Sequence, residues 1–151
     1  MALELISTNP VNNEIIKRYP VCTDDQLIDY ANQSRSQFKI WKQTSIQERS
    51  TLLMNLAKVL ENNLDDAALI TKEMGKPISA SKSEIKKCAR LCRYYAENLA
   101  QFLKEDILFE VDKTSSLVYT PLGPLLGIMP WNFPYWQVIR FAVPAIAAGN
   151  T

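Results

Sequence analysis

From Pro121 to Thr151 the chain reads PLGPLLGIMPWNFPYWQVIRFAVPAIAAGNT, with Arg140 as its one formal charge, although Asp, Glu, Lys and Arg make up 22% of the whole sequence. So apolar a run must be covered, either inside a folded core or in a bilayer. Pro121, Pro124, Pro130 and Pro134, with Asn132 and Gln137, interrupt its charge-free part. A lipid-spanning helix would leave backbone groups there unsatisfied, so the run predicts a protein core. Leu125–Met129 is continuous and apolar, flanked by Gly123, Pro124 and Pro130, which suits a strand buried on both faces of a parallel sheet. Tyr135–Ala148 is apolar nearly all round, as in a helix buried against that sheet, and Gly149 is a good stop. Pro144 removes the N–H that would bond the Arg140 carbonyl, which predicts a local kink. The expected class is α/β.

Between strand and helix lies Pro130-Trp131-Asn132-Phe133-Pro134, stiffened by a proline at each end. Open α/β sheets bind ligands at the loops leaving the carboxyl ends of their strands. Asn132 has two readings in such a place. It is a turn residue bonded to its own backbone, or an uncharged, pre-oriented donor for a carbonyl oxygen that becomes anionic.

The rest of the chain is charged and helical in pattern. Leu3–Tyr19 predicts two short strands around the turn cluster Asn9–Asn13. Thr23-Asp24-Asp25-Gln26 is a capping box opening a helix to about Gln43, with Leu27, Tyr30, Ala31 and Phe38 on its expected buried side. Ser45-Ile46-Gln47-Glu48 opens a second helix, striped by Leu52, Leu53, Leu56, Val59 and Leu60. A third runs from about Leu64 to Met74 and stops at Gly75 and Pro77. Ser81 and Glu84 read as the start of a fourth, reaching about Leu103. Ile107–Val111 and Ser116–Thr120 then predict a hairpin around Asp112-Lys113-Thr114.

Charge and composition remove several functions. A net charge of +1 with both signs interspersed offers no face for nucleic acid. With no histidine, tetrahedral zinc and a His-activated nucleophile are not expected. Cys88 and Cys92 share one helical stripe, as a metal or redox pair or as two small buried side chains, and the second reading is the expectation. Cys22 sits just before a helix start, where a thiol pKa can fall, but is given no catalytic role. Three cysteines without paired spacing, and an acidic Met1-Ala2-Leu3-Glu4 opening, predict a reducing, cytoplasmic setting without a secretory signal. Lys76 follows a helix-ending glycine without a Gly-rich cradle, so it is expected to face the negative end of that helix. Lys86, Lys87 and Arg90 read as a solvated face.

Two separated strings carry a family resemblance: Gly127-Ile128-Met129-Pro130-Trp131-Asn132-Phe133-Pro134 with Ala147-Ala148-Gly149-Asn150-Thr151, and upstream Glu73-Met74-Gly75-Lys76-Pro77. The chain resembles the amino-terminal part of the aldehyde dehydrogenase superfamily. The resemblance implies oxidation of an aldehyde to an acid with NAD or NADP as hydride acceptor. It implies that Asn132 donates to the oxyanion, that Ile128, Met129, Pro130, Trp131 and Asn132 line the nicotinamide end of the cofactor site, and that Arg140 and Phe133 face the aldehyde. Residues 1–105 correspond to the hairpin and helical part of the cofactor domain. Residues 106–121 match an oligomerisation hairpin, and 122–151 the start of the Rossmann-like sheet. A homo-oligomer is therefore expected, with neither nucleic acid nor membrane as partner. The family's nucleophilic Cys, general-base Glu and cofactor-ribose Lys have no match here, so the segment alone is expected to be inactive.

Arg140 is costly on a buried helix unless it meets an anion. Its partner is an internal carboxylate or the far carboxylate of a substrate, which a guanidinium holds with two parallel bonds. The resemblance to bacterial succinate-semialdehyde dehydrogenases favours the substrate. Another small or acidic aldehyde, or a short non-catalytic binding or oligomerisation module, are the alternatives.

Overall fold

The computed structural model describes residues 4–111 and 113–151, with backbone alone at 109–111 and 113–114. β1 (Glu4–Thr8) and β2 (Ile15–Pro20) pair antiparallel. Their turn is closed by the Asn9 side chain, which accepts from the Val11 N–H at 3.0 Å, and by Asn13 at φ 61°. Leu3, the expected first strand residue, lies outside the described residues.

Both capping boxes form. Thr23 and Gln26 bond reciprocally at 3.3 and 3.0 Å to open α1 (Asp24–Trp41). Ser45 and Glu48 do so at 3.1 and 2.7 Å to open α2 (Ile46–Asn62). α3 (Asp66–Met74) ends at Gly75, whose φ of 67° is the left-handed stop that glycine adopts without a Cβ penalty. α4 (Ile78–Phe102) begins three residues earlier than expected. Pro77 presets the entry, so Ser81 and Glu84 lie buried inside α4 and form no capping box. Ser81 Oγ instead sits 2.9 Å from Thr71 Oγ1 of α3.

β3 (Asp106–Val111) and β4 (Lys113–Leu117) form the second antiparallel hairpin, with β4 starting before the expected Ser116. Asp112, in the expected turn, lies outside the described residues. α5 (Pro134–Ala147) continues through Pro144, and Gly149 at φ 90° turns the chain out of it.

The core is helical. α4 packs on α2 and α5, burying Leu53, Leu60, Ile85, Cys88, Cys92, Leu99, Val143 and Ala147. Two expectations about stripes fail. No residue of α1 is buried, and Leu27 and Tyr30 are exposed, because α1 meets the rest of the fold through Ser34, Phe38 and Trp41 toward its carboxyl end. On α2, Leu52 and Val59 lie outside the buried face.

The strand expected at Leu125–Met129 is likewise not formed: Leu125, Leu126 and Ile128 are exposed and in no regular element. A strand needs a neighbour, and among the described residues only Thr151 supplies one. Its N–H donates to the Gly123 carbonyl at 3.2 Å and its carbonyl accepts from the Leu125 N–H at 2.7 Å. Two bonds reaching either side of Pro124 are the pattern of a parallel pair, of which one residue's worth is present. Among the described residues no helix is long and apolar enough to cross a membrane.

Candidate functional site

The loop 130–133 is fixed from three sides. Below it, Asn150 Oδ1 accepts from the Leu122 and Gly123 N–H groups at 2.7 and 3.1 Å, tying the incoming segment to the residues after α5. Alongside, Gly127 passes so close to α5 that a Cβ there would stand 2.7 Å from the Phe141 ring and 2.6 Å from the Met129 methyl. Only glycine lets the backbone approach this closely.

The third support comes from α4. Phe133 stands at the N-cap of α5 and has no side-chain acceptor to offer. The first-turn N–H groups of a helix still need partners. Pro134 has none to satisfy, and the Tyr135 and Trp136 N–H groups both donate at 3.0 Å to Glu84 Oε1. The Gln137 N–H returns to the Phe133 carbonyl at 3.0 Å. Glu84 is therefore a cap supplied across the fold, a buried carboxylate at the positive end of the helix.

Its other oxygen, Oε2, pairs with Lys76. The Lys76 ammonium also lies 3.5 Å from the Asn132 carbonyl and 4.5 Å from the centre of the Phe133 ring. Lys76 thus leaves the end of α3 and reaches into the loop, contrary to the expectation that it faces a helix terminus. The left-handed Gly75 and Pro77 aim it there. Sequence reasoning missed Glu84 altogether as a loop residue. Its partners are 51 and 52 positions away, and the signal that could have found them is an N-cap phenylalanine with no capping side chain.

The residues singled out from sequence fall in two groups. Ile128 and Trp131 are 88% and 77% exposed, and together with Pro130 and half-buried Met129 they make an open apolar ledge. The Asn132 side chain, also exposed, makes no hydrogen bond to any described residue, so its amide donors remain open beside the ledge. Phe133 lies under Lys76. Arg140 is eight residues beyond Asn132 on an exposed face of α5 and forms no ion pair with the described residues. The expectation that it would be buried is thus corrected.

Two of the three thiols, Cys88 and Cys92, are shielded by burial. Burial, reinforced by the nearby Glu84 carboxylate, pushes Cys88 from 9.0 up to about 12, and burial pushes Cys92 to about 11. Cys22 is exposed. Among the described residues no cluster of potential metal ligands is present.

A sequence model described as "Aldehyde dehydrogenase family" matches residues 3–151. The NAD(P)+ succinate semialdehyde dehydrogenase of Escherichia coli (strain K12) is 39% identical over 150 residues, covering 99% of this chain and 32% of that protein. The NADP+ succinate-semialdehyde dehydrogenase 1 of Mycobacterium tuberculosis (strain ATCC 25618 / H37Rv) is 38% identical over 152 residues, covering 98% and 33%. Among solved structures, the succinic semialdehyde dehydrogenase of Streptococcus pyogenes in complex with NADP+ superposes with a TM-score of 0.90 at 28% identity, over 96% of this chain and 32% of that one. The chain spans about a third of the length of these relatives.

Proposed function

Since the chain belongs to the aldehyde dehydrogenase family, we propose that it is the amino-terminal third of an enzyme that oxidises succinate semialdehyde to succinate with NAD or NADP. The aldehyde carbon loses a hydride and gains an oxygen from water, so a carbonyl oxygen must carry negative charge on the way. The observation that carries this reading is the open amide of Asn132 on a fixed main chain, with its N–H groups free of partners among the described residues. A neutral donor on a main chain already held needs only its own side-chain torsions set to meet a new oxyanion.

The ledge fits a nicotinamide. Ile128 and Trp131 offer exposed apolar surface for a flat ring, and Met129 and Pro130 its border. When bound, that ring supplies the hydride acceptor. Arg140, exposed and without an ion pair among the described residues, receives the substrate's far carboxylate, which a guanidinium holds with two parallel bonds, and Phe133 borders the aldehyde's path. We further propose that the complete enzyme is a cytoplasmic homo-oligomer joined through the β3–β4 hairpin, whose unpaired edge a neighbouring subunit can cover.

The test is steady-state oxidation by the full-length protein of a panel of aldehydes, with NAD and NADP. Succinate semialdehyde should have the highest kcat/KM. Equal rates with an uncharged aldehyde of the same length would refute the substrate assignment.

A further inference from the structure

We propose that Lys76 and Glu84 are positioning residues for Asn132, a clamp that sets the amide where the oxyanion forms. This rests on the oxyanion reading of Asn132. The Asn132 side chain makes no hydrogen bond to a described residue, so the region its amide can reach is set by its own backbone. That backbone is held at two points. Lys76 reaches its carbonyl at 3.5 Å, and three and four residues further on Glu84 accepts from the Tyr135 and Trp136 N–H groups at 3.0 Å each. The Lys76–Glu84 ion pair joins the two points into one unit.

The pair is buried, with 16% of the Lys76 side chain and 3% of the Glu84 side chain exposed. Removing both charges from water is expensive, and a fully apolar pair at such a place is often as stable. Stability is therefore a weak reason for ions here. A reason tied to geometry is stronger: the carboxylate has one oxygen for the helix and one for the cation, and the ammonium has further donors for a carbonyl and a ring face. The two N–H bonds to Glu84 are directional, and the ammonium adds attraction for the carbonyl and the ring, so the loop between Pro130 and Pro134 is held at both ends. The family-like string Glu73–Pro77 thereby acquires a role at a loop 56 residues further along the chain.

The experiment is a double-mutant cycle in the full-length enzyme, pairing Lys76→Met with Asn132→Ala. Lys76→Met alone should lower kcat about 10- to 100-fold, the scale of a displaced catalytic group, with KM for the aldehyde nearly unchanged. In the Asn132→Ala background the same change should cause no further loss, because the group being positioned is gone. Losses that multiply, or a folded Lys76→Met enzyme with full kcat, would overturn the clamp. If Asn132→Ala itself loses less than tenfold, the oxyanion reading fails first and separately. Should Lys76→Met not fold, Glu84→Gln keeps an oxygen for the helix while removing the charge, and must show the same non-additivity. Lys76→Arg, which preserves the ion pair, should recover most of the kcat.

Discussion

At the scale of single residues, the site combines one held main chain with two open side chains. The Asn132 and Arg140 side chains are exposed and have no hydrogen-bond or ion-pair partner among the described residues, which leaves both available to a ligand. Arg140→Leu in the full-length enzyme should therefore raise KM for succinate semialdehyde about 10- to 100-fold, the scale of one charge-assisted interaction. KM for an uncharged aldehyde should hardly move, and a parallel rise for both would make Arg140 structural. The motif around Asn132 could be read from sequence because its prolines act locally. Glu84 could not, because its meaning depends on helix N–H groups more than fifty residues away. Lys76, read from sequence as facing its own helix end, was misread for the same reason.

At the scale of elements, what was legible is what closes within a few residues. Thr23–Gln26, Ser45–Glu48 and Gly75 mark helix ends because each cap is completed inside one turn. The buried side of α1 and the strand at Leu125–Met129 were not legible, since burial and pairing require neighbours that a periodicity cannot supply. Gly149 shows how firmly the end of α5 is set. It combines φ 90° with an Arg49 Nη1 that would lie 2.8 Å from an added Cβ, while Arg49 donates to the Ala147 carbonyl at 2.8 Å. Gly149→Ala should lower unfolding free energy by about 1–3 kcal/mol in denaturant titrations, from backbone strain. Cys88 and Cys92 add a pH dependence to the α2–α4–α5 core. Their folded pKa values lie above the ordinary 9.0, at about 12 and about 11. Stability from burying them as neutral thiols is intact below pH 9. It is lost as pH rises toward 11–12, where the unfolded chain ionises and the folded one does not. Cys88→Ala/Cys92→Ala should be less stable at pH 7 but should lose less further stability between pH 9 and 11. An unchanged alkaline slope would mean the thiols ionise as easily in the fold as outside it.

At the scale of the whole molecule, the surface is too large for its mass. The chain of 17.2 kDa exposes 10991 Å², against roughly 7,800 Å² for a compact monomer of that mass. Exposed Leu122, Leu126, Ile128 and Trp131 supply part of the excess beside the candidate site, and such faces call for further protein. The 151-residue chain by itself should bind a hydrophobic dye and sediment above its monomer mass. A dye-silent monomer would show that the ledge needs no cover. The proposed chemistry depends on where one amide points, and a crystal structure of the full-length enzyme holding an aldehyde-derived adduct measures that directly. The expected result places Asn132 Nδ2 about 2.7–3.1 Å from the substrate oxygen. An amide turned back into its own loop, out of hydrogen-bonding reach of that oxygen, would contradict it.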